Sequence, residues 1–314
     1  MTGVRQISPF DRILYLKSLP ELGELSSEQI ARFAGTAQEI QFEAGESIYG
    51  PGNAPTFFYV IALGTVELRR TDGPVQTFGA PESMGFVEMF AEASITGAVA
   101  ASDMVTLRFS KQDLLEVFEE DFELLQNSIF NLARYQHWLL RQVIGGTQRG
   151  DWKQVVEIPE GRPFDLLERL MLIRQGALFA AIGLEAAVMM ATSMKEVKWS
   201  SGEVLWQPGD PSGAMYFIVT GEVEASLEDG QNFLAGPGYP LGNLESLAQV
   251  PRWYRPVAKT DVIAFRADHE TFFDVMEDDF EVAEAFLKAM SSGILSAQEA
   301  VIRADGILVP DRSA

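Results

Sequence analysis

Pro251-Arg252-Trp253-Tyr254-Arg255 puts two guanidinium groups and two aromatic rings on one short segment of an acidic chain. Arginine and aromatic side chains anchor both stacked ligands and protein partners. The segment therefore suits either an anionic ligand gripped by Arg252 or a partner surface formed by Trp253, Tyr254 and Arg255. Other chemistries find little support. The chain has no cysteine, which removes disulfides, thiolate catalysis and Cys-based zinc sites. Its two histidines, His137 and His269, are far apart in sequence, so neither a histidine-rich metal site nor a histidine-based triad is expected. His137 stands among Tyr135, Trp138 and Leu139 and reads as a helix-packing residue. No P-loop or comparable glycine-rich catalytic motif occurs. No catalytic or metal-binding residue is assigned.

The elements that position this segment occur twice. Residues 45–88 align with 202–245 at an offset of 157. Gly45-Glu46, Pro51-Gly52, Tyr59, Ile61, Gly64, Val66 and Glu67 meet Gly202-Glu203, Pro208-Gly209, Tyr216, Ile218, Gly221, Val223 and Glu224. Gly85 and Glu88 meet Gly242 and Glu245. Further on the offset is 158, where Asp121-Phe122-Glu123 meets Asp279-Phe280-Glu281. A period this long marks a duplicated domain rather than a solenoid unit.

The 314 residues give two domains of ordinary size, and 47% hydrophobic with 22% charged residues indicates folded, soluble material. With 24 basic against 45 acidic residues the net charge is −21, a field that repels DNA unless a basic patch overrides it. Arg69-Arg70 and Arg252 with Arg255 are the nearest approach to one, so no nucleic-acid partner is expected. The acidity serves solubility or a basic partner. No run of 18 apolar residues occurs, so no membrane span is expected. Met1-Thr2-Gly3-Val4-Arg5 lacks an apolar signal core, which makes the cytoplasm the expected address.

Each repeat opens with Pro-Phe-Asp, at Pro9-Phe10-Asp11 and Pro163-Phe164-Asp165. Ser26-Ser27-Glu28-Gln29 offers a helix cap ahead of Ile30, Phe33 and Ala34 on one face. Leu184 to Met194 is almost wholly apolar and should be buried on several sides. Period-two patterning follows at Ile40, Phe42, Phe58 and Val60, matched by Val197, Trp199, Tyr216 and Ile218. Turn signals fall at Pro51-Gly52-Asn53, Asp72-Gly73-Pro74, Pro208-Gly209-Asp210 and Asp229-Gly230. Many short strands with close turns predict a small antiparallel barrel or roll. Helices return at Lys111–Phe118 and Asp121–Ile144, then at Thr271–Met276 and Asp279–Ile302. In the Asp121–Ile144 helix, Leu124, Phe130, Tyr135, Trp138, Leu139 and Leu140 cover more than one stripe. That helix should bury more than one face, within one chain or, through Trp138, in a homodimer; the monomer is preferred. Glycine density makes Gly145 to Gly150 the linker candidate, and Gly306 to Ala314 reads as a loose tail.

Spaced glycines (Gly45, Gly52, Gly64, Gly85 and Gly202, Gly209, Gly221, Gly242), with Val99-Ala100 and Asp103 matched by Val257-Ala258 and Asp261, resemble the cyclic-nucleotide-binding domain. The resemblance covers nearly the whole chain, twice. It implies an α+β fold of two tandem domains, residues 10–145 and 163–302 with a linker at 146–162. Each would be an antiparallel, jelly-roll-like β-roll flanked by helices. It also implies a phosphate-binding cassette running from a glycine, followed directly by glutamate, to Pro-Arg nine and ten residues later. The glutamate would accept the ribose 2′-hydroxyl, and the arginine and helix-start N–H groups would hold the cyclic phosphate.

Neither repeat has the full set. Phe86 follows Gly85, and Ser94-Ile95, or Ala93-Ser94 under the shifted offset, stands where Pro-Arg belongs. Asn243 follows Gly242, although Pro251-Arg252 keeps the spacing. Glu88 and Glu245 lie one helical turn past the glycine, as displaced ribose ligands or as structural caps. The first repeat should not bind a cyclic nucleotide. In the second, Gly242, Asn243, Glu245, Arg252 and Trp253 are the ligand-binding candidates, for cAMP or cGMP. Trp253, Tyr254, Arg255 and Trp138 are the candidates for a partner interface. The transcription factors of this family carry a winged helix after the last helix, whereas 33 residues follow Glu281. The resemblance implies a non-enzymatic regulatory or adaptor protein acting through protein contacts, with no resident cofactor. The alternative is a cAMP or cGMP receptor that uses the second domain to regulate a partner.

Overall fold

Gly45, Gly52, Gly64 and Gly85 adopt positive φ, and so do Gly202, Gly209, Gly221 and Gly242. The glycine register read from the sequence is thus a register of turns. The computed structural model describes residues 7–19, 22, 25–70, 75–144, 146–148, 152–228 and 230–305. The Asp72-Gly73-Pro74 turn, Asp229, the tail from Gly306 and half of the glycine-rich stretch at 145–150 lie outside the described residues.

The chain forms two units, one of Met1–Ser128 with Met290–Ala314, the other of Ile129–Ala289. Each holds two four-stranded sheets. In the first unit, one sheet orders Gln38–Phe42, Met104–Ser110, Phe57–Leu63 and Ser83–Met84, and the other Ser47–Tyr49, Gly97–Ala100, Thr65–Arg69 and Gln76–Gly79. In the second unit the same order recurs in Lys195–Trp199, Val262–Asp268, Ala214–Thr220 and Pro240–Leu241. Its other sheet runs Tyr254–Ala258, Val223–Leu227, Asn232–Ala235 and Gly146–Gln148. The last strand pairs in parallel with Asn232–Ala235. The expected linker at 146–162 therefore opens with a strand, and this roll departs from a purely antiparallel one.

Alternation puts the apolar side chains of both sheets inward. The first roll packs Tyr59, Ile61, Val66, Met84, Ala98 and Met104 together, and the second packs Ile218, Val223, Phe233, Leu241, Tyr254 and Val262. Helices flank each roll. Ser26 caps Ser27–Thr36 with a reciprocal box, its Oγ accepting from Gln29 N–H and its own N–H donating to Gln29 Oε1.

The Pro-Phe-Asp register does not hold. The first helices are Pro9–Lys17, capped by Ser8, and Leu166–Ile173, capped by Asp165, which restores the offset of 157. Ile7 N–H donates to Glu39 as Phe164 N–H donates to Glu196. Phe10 is exposed and Phe164 buried, because they hold different positions. The apolar helix Leu184–Ser193 buries Ala186, Ala187, Met190 and Ala191 but leaves Leu184 exposed. In the helix Phe122–Val143 the buried residues are Leu124, Leu125, Ile129, Leu132, Ala133 and Leu139. They form one broad stripe; Phe130, Tyr135, Trp138 and Leu140 are only partly buried. Among the described residues no helix is long and apolar enough to cross a membrane.

Candidate functional site

In the second roll a short helix, Asn243–Ala248, starts at Gly242 with φ 72° and stops at Gln249 with φ 55°. Leu244, Leu247 and Ala248 are buried and anchor it to the roll. The chain then passes through Val250–Trp253 into the strand Tyr254–Ala258. This loop is one residue longer than its counterpart. Gly209 N–H donates to Arg252 O as Gly52 N–H donates to Ser94 O, while Val250 N–H donates to Glu245 O as Ala93 N–H donates to Glu88 O. The inserted residue is Pro251, and it is here that the offset of 157 becomes 158. Ser94, not Ile95, is the counterpart of Arg252.

Arg252 is 4% exposed, so it is not part of a surface ion pair. Its Nη1 donates to Gly242 O at 2.8 Å and its Nη2 to Ala214 O. The guanidinium lies 4.3 Å from the centre of the Trp206 ring. Its backbone is also held, by Gly209 N–H and Asp210 O. Tyr254 is buried, and its hydroxyl accepts from Gly242 N–H at 3.0 Å. The helix-start N–H and the arginine that the resemblance assigns to a phosphate thus meet protein groups. Burial also removes Tyr254 from the set of partner-contact candidates.

Glu245 is 2% exposed, and its Oε1 has no hydrogen-bond partner. Burial raises its carboxyl above the ordinary range, opposed by the Arg252 charge, its own backbone N–H and the Tyr254 hydroxyl. Burial likewise raises the phenols of Tyr254 and Tyr239, with the Glu245 charge adding to both. Beside these groups lies a half-open cavity of about 160 Å³ within the second unit. Asn243, partly exposed, and Trp253 line it, and so do Gln136, His137 and Leu140 of the preceding helix. Trp253 meets the His137 ring at 5.5 Å, and Arg141 sits 5.4 Å from its centre. Burial and then the Arg141 charge lower His137 to about 4, so it is neutral at pH 7. Of the remaining candidates, Arg255 is exposed, and Trp138 is partly exposed and stacked on Tyr135.

The first roll has no arginine at this place. Phe86 packs edge-on against Phe58 and near Phe90. Ser94 Oγ closes a local turn with Thr96, accepting from its N–H and donating to its C=O. Burial raises the Glu88 carboxyl, opposed by its own backbone N–H. Between the unfolded and folded values the native state holds the extra proton, so stability falls as pH rises through the folded value. Glu88→Gln should therefore be more stable than wild type at pH 8, with the gap closing toward pH 4.5. Urea midpoints at the two pH values measure it, and a gap independent of pH would sink the argument.

The sequence reading missed Trp206, Ala214, Tyr239, Gln136 and His137 as parts of this site. Ala214 contributes a backbone carbonyl, which no side-chain motif reports. Tyr216 beside Trp206 was visible only as a repeat position.

A family model for the cyclic nucleotide-binding domain matches the chain twice, at residues 39–121 and 196–279. Together the two matches span just over half of the chain. Among solved structures, the regulatory subunit of a cAMP-independent protein kinase A from Trypanosoma cruzi bound to guanosine is 15% identical. The alignment covers 92% of each chain with a TM-score of 0.35. A regulatory subunit of the same description from Trypanosoma brucei is 12% identical, covering 96% of this chain and 92% of that one with a TM-score of 0.35. The N-terminal domain of a transcriptional regulator from Streptomyces coelicolor is 26% identical. It covers 42% of this chain and 93% of that one, with a TM-score of 0.33.

Proposed function

The chain belongs to the cyclic nucleotide-binding domain family, and on that premise we propose that it is a non-enzymatic regulatory or adaptor protein whose two cassettes have lost the cyclic phosphate. The observation that carries this reading is the seat of Arg252. Its two terminal nitrogens are taken by the carbonyls of Gly242 and Ala214, its face by Trp206, and it is absent from the cavity wall. A phosphate would have to displace buried hydrogen bonds rather than fill a waiting fork. The neighbouring cavity, about 160 Å³, is below the roughly 300–1,000 Å³ of sites for drug-sized ligands. Regulation then runs through protein contacts, with Trp253, Arg255 and Trp138 as the side chains with exposed surface to offer. A single chain is the proposed working form, and the net charge of −21 favours a basic protein partner over a nucleic acid.

The test is thermal melting with cAMP and with cGMP. A ligand that binds only the native state raises the melting temperature, so neither nucleotide should move it at millimolar concentration. A shift of several degrees that disappears in Arg252→Lys would establish the receptor reading instead.

A further inference from the structure

The cavity beside the second cassette has the walls of a site for a positively charged head group. Four aromatic residues, Phe233, Tyr239, Trp253 and Tyr254, line it. They form a continuous chain of rings: Tyr239 to Phe233 at 6.2 Å, Phe233 to Tyr254 at 5.2 Å, and Tyr254 to Trp253 at 5.3 Å. The interplanar angles are 60°, 70° and 89°, so successive rings meet edge to face rather than stack into a slab. Glu245 is the one carboxylate among the lining residues, and its buried Oε1 has no partner.

Neither nearby arginine lines the cavity. Arg252 does not line the cavity and is held by Gly242 O, Ala214 O and the Trp206 face. No ion pair joins Arg252 to Glu245 among the described residues. Arg141 lies over Trp253 and is not a lining residue. The lining residues thus include four aromatics, Glu245, whose buried Oε1 has no hydrogen-bond partner, and the neutral His137, whose buried Nε2 is also unpartnered. Ring quadrupoles and a carboxylate attract a cation and repel a phosphate.

We propose that this cavity binds a small organic cation, an alkylammonium head group held by the aromatic walls and the Glu245 carboxylate. The proposal rests on the reading that cyclic phosphate does not occupy the second cassette. A trimethylammonium head is of the right class, since it fills a small cavity and spreads its charge over methyl groups that meet ring faces. It can come free, as in choline, or on a trimethyllysine side chain of a basic protein. The acidic field of the chain draws either toward it.

The experiment is a tryptophan-fluorescence and thermal-melting titration of the full chain at constant ionic strength. Its probes are choline and a short trimethyllysine peptide, each against an uncharged control. The controls are the choline isostere with a tert-butyl head and the same peptide with acetylated lysine. Saturable quenching with a raised melting temperature is expected for at least one cationic probe. The uncharged control should bind about tenfold more weakly or worse. Glu245→Gln should weaken the cationic probe by about tenfold to a hundredfold. If that variant fails to fold, Trp253→Leu serves in its place and should lose the rise in melting temperature with the cationic probe. Choline binding alone identifies a free small molecule, and peptide binding alone a protein source; both support the site. Absence of saturation by either cation, equal binding of the uncharged controls, or indifference to Glu245→Gln overturns it. A parallel cAMP titration separates the two readings: no response to cation or nucleotide ends this proposal alone, whereas a nucleotide response ends the reading beneath it.

Discussion

Arg252→Ala should destabilise the second roll by about 3–5 kcal/mol, one of the largest effects any single side-chain truncation in this chain would produce. The substitution leaves the carbonyls of Gly242 and Ala214 without their buried donors and removes the guanidinium from the Trp206 face. Each carbonyl deprived of its partner costs about 1–3 kcal/mol. It also strips the nearest positive charge from Glu245, which is already held above its ordinary range by burial. Arg252→Lys should recover less than half of the loss, because an ammonium cannot span two carbonyls and stack at once. Urea unfolding of the three proteins, followed by tryptophan fluorescence, gives the numbers. Wild-type stability in Arg252→Ala would mean that the guanidinium is held loosely and is free to meet a ligand.

Gly221→Ala should cost about 2–4 kcal/mol, and Gly64→Ala about the same. At Gly221 φ is +85°, and an added Cβ would stand 2.3 Å from Asp261 O. At Gly64 φ is +86°, and the Cβ would stand 2.4 Å from Asp103 O. Those oxygens belong to backbone, so a turn of the roll has to move. Gly202→Ala provides the control, since its φ is +89° but nothing lies within 4 Å of the added carbon. It should lose only the conformational cost, about 1–2 kcal/mol. The difference between Gly221→Ala and Gly202→Ala in urea midpoint isolates the close approach. Equal losses in the two would show that the turn yields freely.

These glycines explain how much of the fold the sequence carried. A positive φ, or a backbone passing within contact distance, restricts a position to glycine, so the physical need is written as a residue type and survives at a fixed offset. The register of the first helices was harder to read. Pro-Phe-Asp repeats by coincidence of letters, while the equivalent caps, Ser8 and Asp165, are different residues whose side-chain oxygens both accept from the N–H three residues on. The site was legible in outline. Gly242, Glu245, Arg252 and Trp253 do converge there. What Arg252 does was not legible, because its acceptors are main-chain carbonyls and its stacking partner, Trp206, comes from another strand connection. Nor could spacing reveal that Gln136 and His137 line the cavity of the second unit, since they belong to a helix that follows the first roll in sequence.

The short parallel strand Gly146–Gln148 bears on how the second roll can be handled alone. It caps the side of Asn232–Ala235 that would otherwise end the sheet, and Gly236 N–H donates to Gln148 O just beyond it. An uncapped strand offers a row of free amides and carbonyls that templates pairing with another molecule. Phe233 and Ala235 of that strand are buried core residues, and Ile144 packs in the same cluster. A recombinant fragment that begins after Gln148 therefore bares both a sticky border and part of an apolar interior, and self-association is its natural fate. One that begins ahead of Gln136, and so keeps the end of that helix and Ile144 after it, leaves the border sealed, so the useful place to cut lies upstream of the glycine-rich stretch rather than within it.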